Sequence, residues 1–171
     1  RDSTTADFLE DIEEQTLKLM NQGKSLNEVF HQVKISSEIK NKPWLRPVYD
    51  DPKFLIRMVW RRYGGWWDGE YDRLLPDTRE NEAQEWVELS GGIDAIINKA
   101  LDNLTNKKYK LAAHLIEVAY YADKKNEKLH EARKEIYAAL SKEQDSSMAR
   151  NIFNHANLAS NELKRDLASE D

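Results

Sequence analysis

IDAIINKALDNLTNKKYKLAAHLIEVAYYADKKNEKLHEARKEIYAALSK, residues 93–142, is the stretch that decides the fold. Ile93, Ile96, Ile97, Ala100, Leu101 and Leu104 recur at the three- and four-residue intervals of one helix face. Leu111, Ala112, Leu115, Ile116 and Ala119 form a second stripe, whose alanines allow close helix approach, and Leu129, Ala132, Ile136 and Leu140 form a third. The breaks at Thr105-Asn106-Lys107 and Asp123-Lys124-Lys125-Asn126 are short and polar, so neighbouring helices should pack antiparallel. Beyond them Met148, Ile152, Ala156, Ala159, Leu163 and Leu167 make a fourth stripe. No proline or glycine interrupts residues 93–171, and no two-residue alternation persists. These patterns predict an all-α fold, an antiparallel helical array. Residues Asn106 to Tyr137 also resemble one tetratricopeptide unit, which supports helix-pair geometry, although a solenoid needs three or more copies.

Working outward, all four prolines and Gly64, Gly65 and Gly69 fall between residues 43 and 76. One helical domain over 1–171 is therefore expected in three parts: linker helices over 1–42, an aromatic bend over 43–76 and the array over 77–171. A first helix should span about Thr5 to Gln22, with Phe8, Ile12, Leu19 and Met20 inward and Gly23 ending it. Ser25 and Glu28 have capping-box spacing. Asp51-Pro52 reads as the start of a helix that Gly64-Gly65 stops, and Asp77 with Glu80 as another start before Ala83, Trp86, Val87 and Leu89.

Of 171 residues, 26 are basic and 31 acidic, giving a net charge of −5, and there is no cysteine. Structural disulfides, cysteine-ligated zinc and thiol catalysis are thereby excluded. The acidic excess lies in residues 1–90, and no basic run marks a nucleic-acid footprint, so no nucleic-acid partner is expected. No apolar run reaches the roughly 18 residues of a membrane span, and the opening residues lack a signal-peptide core. A chain that begins at Arg1 is expected to be a fragment.

His31, His114, His130 and His155 form no H-x-H or H-E-x-x-H pair, so three of them read as ordinary, partly buried helix residues and no metal site is expected in this chain. G-x-S-x-G is absent, and the glycines at 64, 65 and 69 lead away from a helix and cannot cradle a phosphate. The informative stretch is Trp44 to Gly69, which holds four of the five tryptophans. On the helix after Pro52, apolar residues surround all but a stripe of Lys53, Arg57 and Arg61, a pattern that calls for cover by more than one neighbour. Two readings of the arginines stand side by side: pairing with acids of the first helix or Asp68, or attraction of an anion by Arg57 and Arg61. Trp60, Tyr63, Trp66 and Trp67 are candidates either for a sealed aromatic corner or for an interface or the wall of a substrate cleft.

Trp44-Leu45-Arg46-Pro47-Val48-Tyr49, Arg61-Arg62-Tyr63-Gly64-Gly65-Trp66-Trp67-Asp68-Gly69, Gly91-Gly92-Ile93-Asp94-Ala95, Leu111-Ala112-Ala113-His114-Leu115 and Met148-Ala149-Arg150-Asn151 occur in that order. Together they resemble the α-helical dimerisation domain of the alkyl sulfatases, whose catalytic domain is a metallo-β-lactamase fold. Thr16 to Gly23 is similar to the helix joining those two domains. The resemblance implies a homodimerising, interdomain scaffold, inactive alone, from a parent that hydrolyses sulfuric esters. It also implies two zinc ions held by H-x-H-x-D-H in a catalytic domain absent from this chain, and no cofactor here. Lys53-Phe54-Leu55 stands where the family has Ser-His-Asn, and G-W-W-D-G replaces G-W-Y-D-G, which implies a divergent branch. A stand-alone tetratricopeptide-like adaptor for a peptide or protein is the alternative.

Overall fold

The computed structural model describes residues 3–37 and 42–162. Among these the protein is all-helical, with eight α-helices, two 3₁₀ turns and no strand. The chain divides into two compact units, residues 1–76 and 77–171.

In the first unit α1 (Ser3–Asn21), α2 (Leu26–Gln32) and α3 (Pro52–Gly64) pack together, α3 against both others. Their core is Ile12, Val29, Val33, Ile56 and Trp60, ringed by Phe8, Leu19, Met20, Leu26, Ile35 and Leu55. Gly23 ends α1 at φ +76, where its N–H reaches Met20 and that of Lys24 reaches Leu19, the paired bonds of a Schellman motif. The Ser25–Glu28 capping box forms as the spacing predicts. Gln15 then ties the exit of α2 back to α1, its amide donating to the Lys34 carbonyl and accepting from the Lys34 N–H.

The carboxylate of Glu28 is held below its usual pKa by the Lys24 ammonium and then by the Ser25 N–H. A depressed acid stabilises the fold above its unfolded pKa and loses that contribution as pH falls through the folded one. Acid titration below the ordinary glutamate range should therefore weaken the first unit, and Glu28→Gln should flatten that limb of the stability profile, read by thermal melts across pH.

The second unit comprises α4 (Arg79–Ser90), α5 (Ile93–Thr105), α6 (Tyr109–Ala122), α7 (Glu127–Lys142) and α8 (Ser147–Asn161). Helices α5 to α8 pack as successive neighbours, and α4 lies against α6. The predicted stripes meet in one core, where Ile96, Ile97, Ala112, Ile116, Leu129 and Ile136 are almost wholly buried. Met148, Ile152, Ala156 and Ala159 of the fourth stripe lie on α8, of which Ile152 is 61% exposed; Leu163 and Leu167 lie outside the described residues.

The start of α4 differs from the expected Asp77–Glu80 pair. Thr78 is the cap, its hydroxyl accepting the Asn81 N–H, while Asp77 accepts from the Thr78 N–H and the Asn81 amide. Glu80 instead pairs with Lys124 at 2.7 Å. Either side chain can cap a helix, and because this one begins at Arg79, Thr78 stands in the cap position and Asp77 one residue outside it. The Schellman bonds that close α4 at Gly91 recur at the end of α5, where Lys107 holds φ +58 without being glycine.

Candidate functional site

The aromatic bend is built from α3 outward. Asp51 caps the helix through the Lys53 N–H at 2.8 Å, and Pro52 occupies its first turn. Four-residue spacing puts Ile56 and Trp60 on the face turned to α1 and α2, where they are 0% and 9% exposed. The opposite face is open, with Met58 62% exposed. Helix α3 is thus covered on one side within its own unit, although its apolar residues run most of the way round.

Past Gly64-Gly65 the chain turns back over Trp60. The Trp60 indole N–H donates to the Trp67 carbonyl at 2.9 Å, and the Trp67 indole donates to the Glu70 carbonyl at 3.3 Å. The Trp67 ring meets Tyr71 edge to face. The Asp68 carbonyl accepts the Leu26 N–H at 2.7 Å, docking the bend on the start of α2. Gly69 sits in that contact at φ +88, and a Cβ there would stand 3.1 Å from Ser25 Cα. Neither the dihedral nor the space suits a side chain. Gly69→Ala should cost at least about 1 kcal/mol and loosen the bend, seen as a lower denaturation midpoint with red-shifted tryptophan emission.

The structure separates the four aromatic candidates. Trp60 is core and Trp67 is half-buried beneath the turn, whereas Trp66 is 82% exposed and Tyr63 about half exposed. Tyr63 donates to the Glu13 carboxylate at 2.6 Å, which raises the phenol pKa by holding its proton. Trp66 therefore projects from a backbone fixed on both sides.

Arg57 lies over the Phe30 ring, 5.1 Å from its centre, with Lys53 at 4.8 Å, and Arg62 lies over Tyr63. Among the described residues neither Arg57 nor Arg61 pairs with a carboxylate. Asp68 accepts the Glu70 N–H through its side chain. Both arginines are exposed, so their charge faces solvent.

The histidines remain scattered: His31 packs edge-on to Phe30, and His114 and His155 are exposed. His130 is buried, between the Lys124 carbonyl and Ser160. Among the described residues no group of three or more His, Cys, Asp or Glu side chains could hold a metal, so ligands for the zinc ions that the resemblance assigns to a catalytic domain would have to lie in a different domain. No described helix is long and apolar enough to cross a membrane.

The family described as alkyl sulfatase dimerisation matches residues 25–163. Among curated proteins, the chain is 24% identical over 147 residues to the alkyl/aryl-sulfatase BDS1 of Saccharomyces cerevisiae, covering 86% of this chain and 23% of that protein. It is 27% identical over 143 residues to an (R)-specific secondary-alkylsulfatase of Pseudomonas sp., covering 83% of this chain and 22% of the relative. Among solved structures, the stereoselective inverting sec-alkylsulfatase Pisa1 from Pseudomonas sp. superposes with a TM-score of 0.79 at 26% identity, over 94% of this chain and 25% of that one. The chain thus spans about a quarter of the length of the relatives it matches.

Proposed function

The chain belongs to the alkyl sulfatase dimerisation family, and on that premise we propose that it is the homodimerisation and interdomain scaffold of an alkyl-sulfatase-like, zinc-dependent hydrolase. The parent's catalytic zinc domain is a separate part of the protein, and no step of the chemistry is assigned to residues of this chain.

The observation that carries the interdomain role is Trp66, a large indole standing in solvent on a bend pinned from both sides. Tryptophan exposed on a rigid backbone has little entropy to lose on contact, so it suits an anchor or a cleft wall. Trp66 and Tyr63 are the contact residues. Trp60 and Trp67 are their footing, since both indole N–H groups are already spent on the bend. Arg57 and Arg61 place positive charge nearby, suited to drawing in an anionic ester.

Two measurements test the proposal. Sedimentation of the chain at high micromolar concentration should show a dimer, and a strict monomer would remove the scaffold reading. In the parent enzyme, Trp66→Ala should leave stability within about 0.5 kcal/mol, because an exposed side chain supports little of the fold. It should nevertheless weaken the contact it anchors by about 2 kcal/mol, roughly 30-fold, seen as lost domain contact or a lower kcat/KM on an alkyl sulfate.

A further inference from the structure

The second unit carries two exposed features of opposite chemistry at opposite ends of one helix. On α4, Trp86 and Leu89 are 51% and 77% exposed, and helical spacing places the exposed Glu82 and Glu85 on the same face. Neither carboxylate makes an ion pair among the described residues, unlike Glu80 on the inner side. The result is an apolar knob with an acidic rim.

At the other site an open hollow of about 500 Å³ lies where α6 begins and α7 ends. Tyr109, Leu111 and Leu140 give it apolar walls, Lys107, Lys108 and Lys110 crowd its rim, and Glu143 is its one acid. None of the three ammonium groups is engaged in an ion pair among the described residues. The hollow has room for an indole and the opposite charge to the knob.

One chain cannot join its own two features. Helix α4 lies across the C-terminal end of α6, where Gln84 donates to the Ala122 carbonyl at 2.9 Å and Arg79 to the Tyr121 hydroxyl at 3.3 Å. The hollow is at the N-terminal end of α6, a helix of 14 residues, about 20 Å long at helical rise.

We propose that a second copy of this chain supplies the missing partner, the Trp86–Leu89 knob of each copy seating in the lysine-rimmed hollow of the other. The inference rests on the dimerisation reading above and assigns it a surface. With the two α6 helices antiparallel about a two-fold axis, both knobs meet both hollows and the assembly closes. A head-to-tail arrangement would leave one knob and one hollow free and propagate. Apolar burial supplies the attraction, and the charges set the register.

Charge reversal on the full chain tests this by sedimentation velocity. Glu82→Lys with Glu85→Lys, and separately Lys108→Glu with Lys110→Glu, should each raise the dimer dissociation constant at least tenfold. An equimolar mixture of the two variants should restore the dimer, because in a mixed pair both contacts again join opposite charges. Variants that dimerise like the wild type, or a mixture that stays monomeric, would overturn the pairing while leaving dimerisation intact. A wild type that never dimerises would overturn the underlying reading instead. Circular dichroism checks that the variants fold; should either fail, Trp86→Ala and a salt series on the wild type replace it. Both should weaken the dimer, and indifference to both would again refute the pairing.

Discussion

Replacing Arg133 with methionine should destabilise the second unit by about 3–5 kcal/mol, read as a lowered urea midpoint in far-ultraviolet circular dichroism. Arg133 is 1% exposed and joins three helices. Its Nε donates to Glu117 on α6 at 2.7 Å, and its Nη1 donates to the Ser160 hydroxyl at 2.8 Å and the Ala156 carbonyl at 3.1 Å on α8. The rings of Tyr120 and Tyr137 lie 4.5 and 5.0 Å from the guanidinium carbon, which adds cation–π attraction in a dry setting. Methionine fills much of the volume and donates nothing. The Glu117 carboxylate, only 18% exposed, would lose its counter-charge. Adding Glu117→Gln should recover part of the loss, since the stranded charge goes with it. A single variant as stable as the wild type would show that the network fixes helix register without adding net stability.

Trp60→Ala should cost the first unit about 3–5 kcal/mol. The indole fills the space between α3, α1 and α2, and its N–H holds the Trp67 carbonyl. Losing it opens a cavity and frees the bend together. Trp60→Phe removes the donor and one ring of the indole but keeps the other, so it should cost less, about 2 kcal/mol. If the two variants unfold alike, the N–H and the lost ring together carry the whole effect. If Trp60→Phe is silent, the bend is held by Asp68 and Gly69 against α2.

The helices were legible because their signals are local. Apolar spacing over residues 93–140 and the Ser25–Glu28 pair depend on residues three or four apart, and both reappear in the structure. Asp77 and Thr78 were confusable because both side chains can cap and they are adjacent. In the bend, four aromatic candidates looked alike by type, yet Trp60 lies four residues after Ile56 on the buried face. That spacing could have set it apart from Trp66. Arg133 left no such trace. In Glu131-Ala132-Arg133-Lys134 it reads as a solvated charge, and its partners stand 16 to 27 residues away on other helices. The hollow beside Lys107 was equally invisible, because it exists only where the ends of two helices meet.

One close approach has a consequence for how such sequences diverge. A Cβ on Gly64 would come within 2.8 Å of Met20 Cε, so a single methyl's volume is shared between α1 and α3. That Cε ends a flexible thioether chain, so methionine at 20 can yield to a methyl at 64 at little cost, whereas a β-branched or ring side chain there could not. Homologues with alanine at 64 should therefore avoid such stiff residues at 20, and finding the two together would mean the crossing is slacker than its geometry suggests.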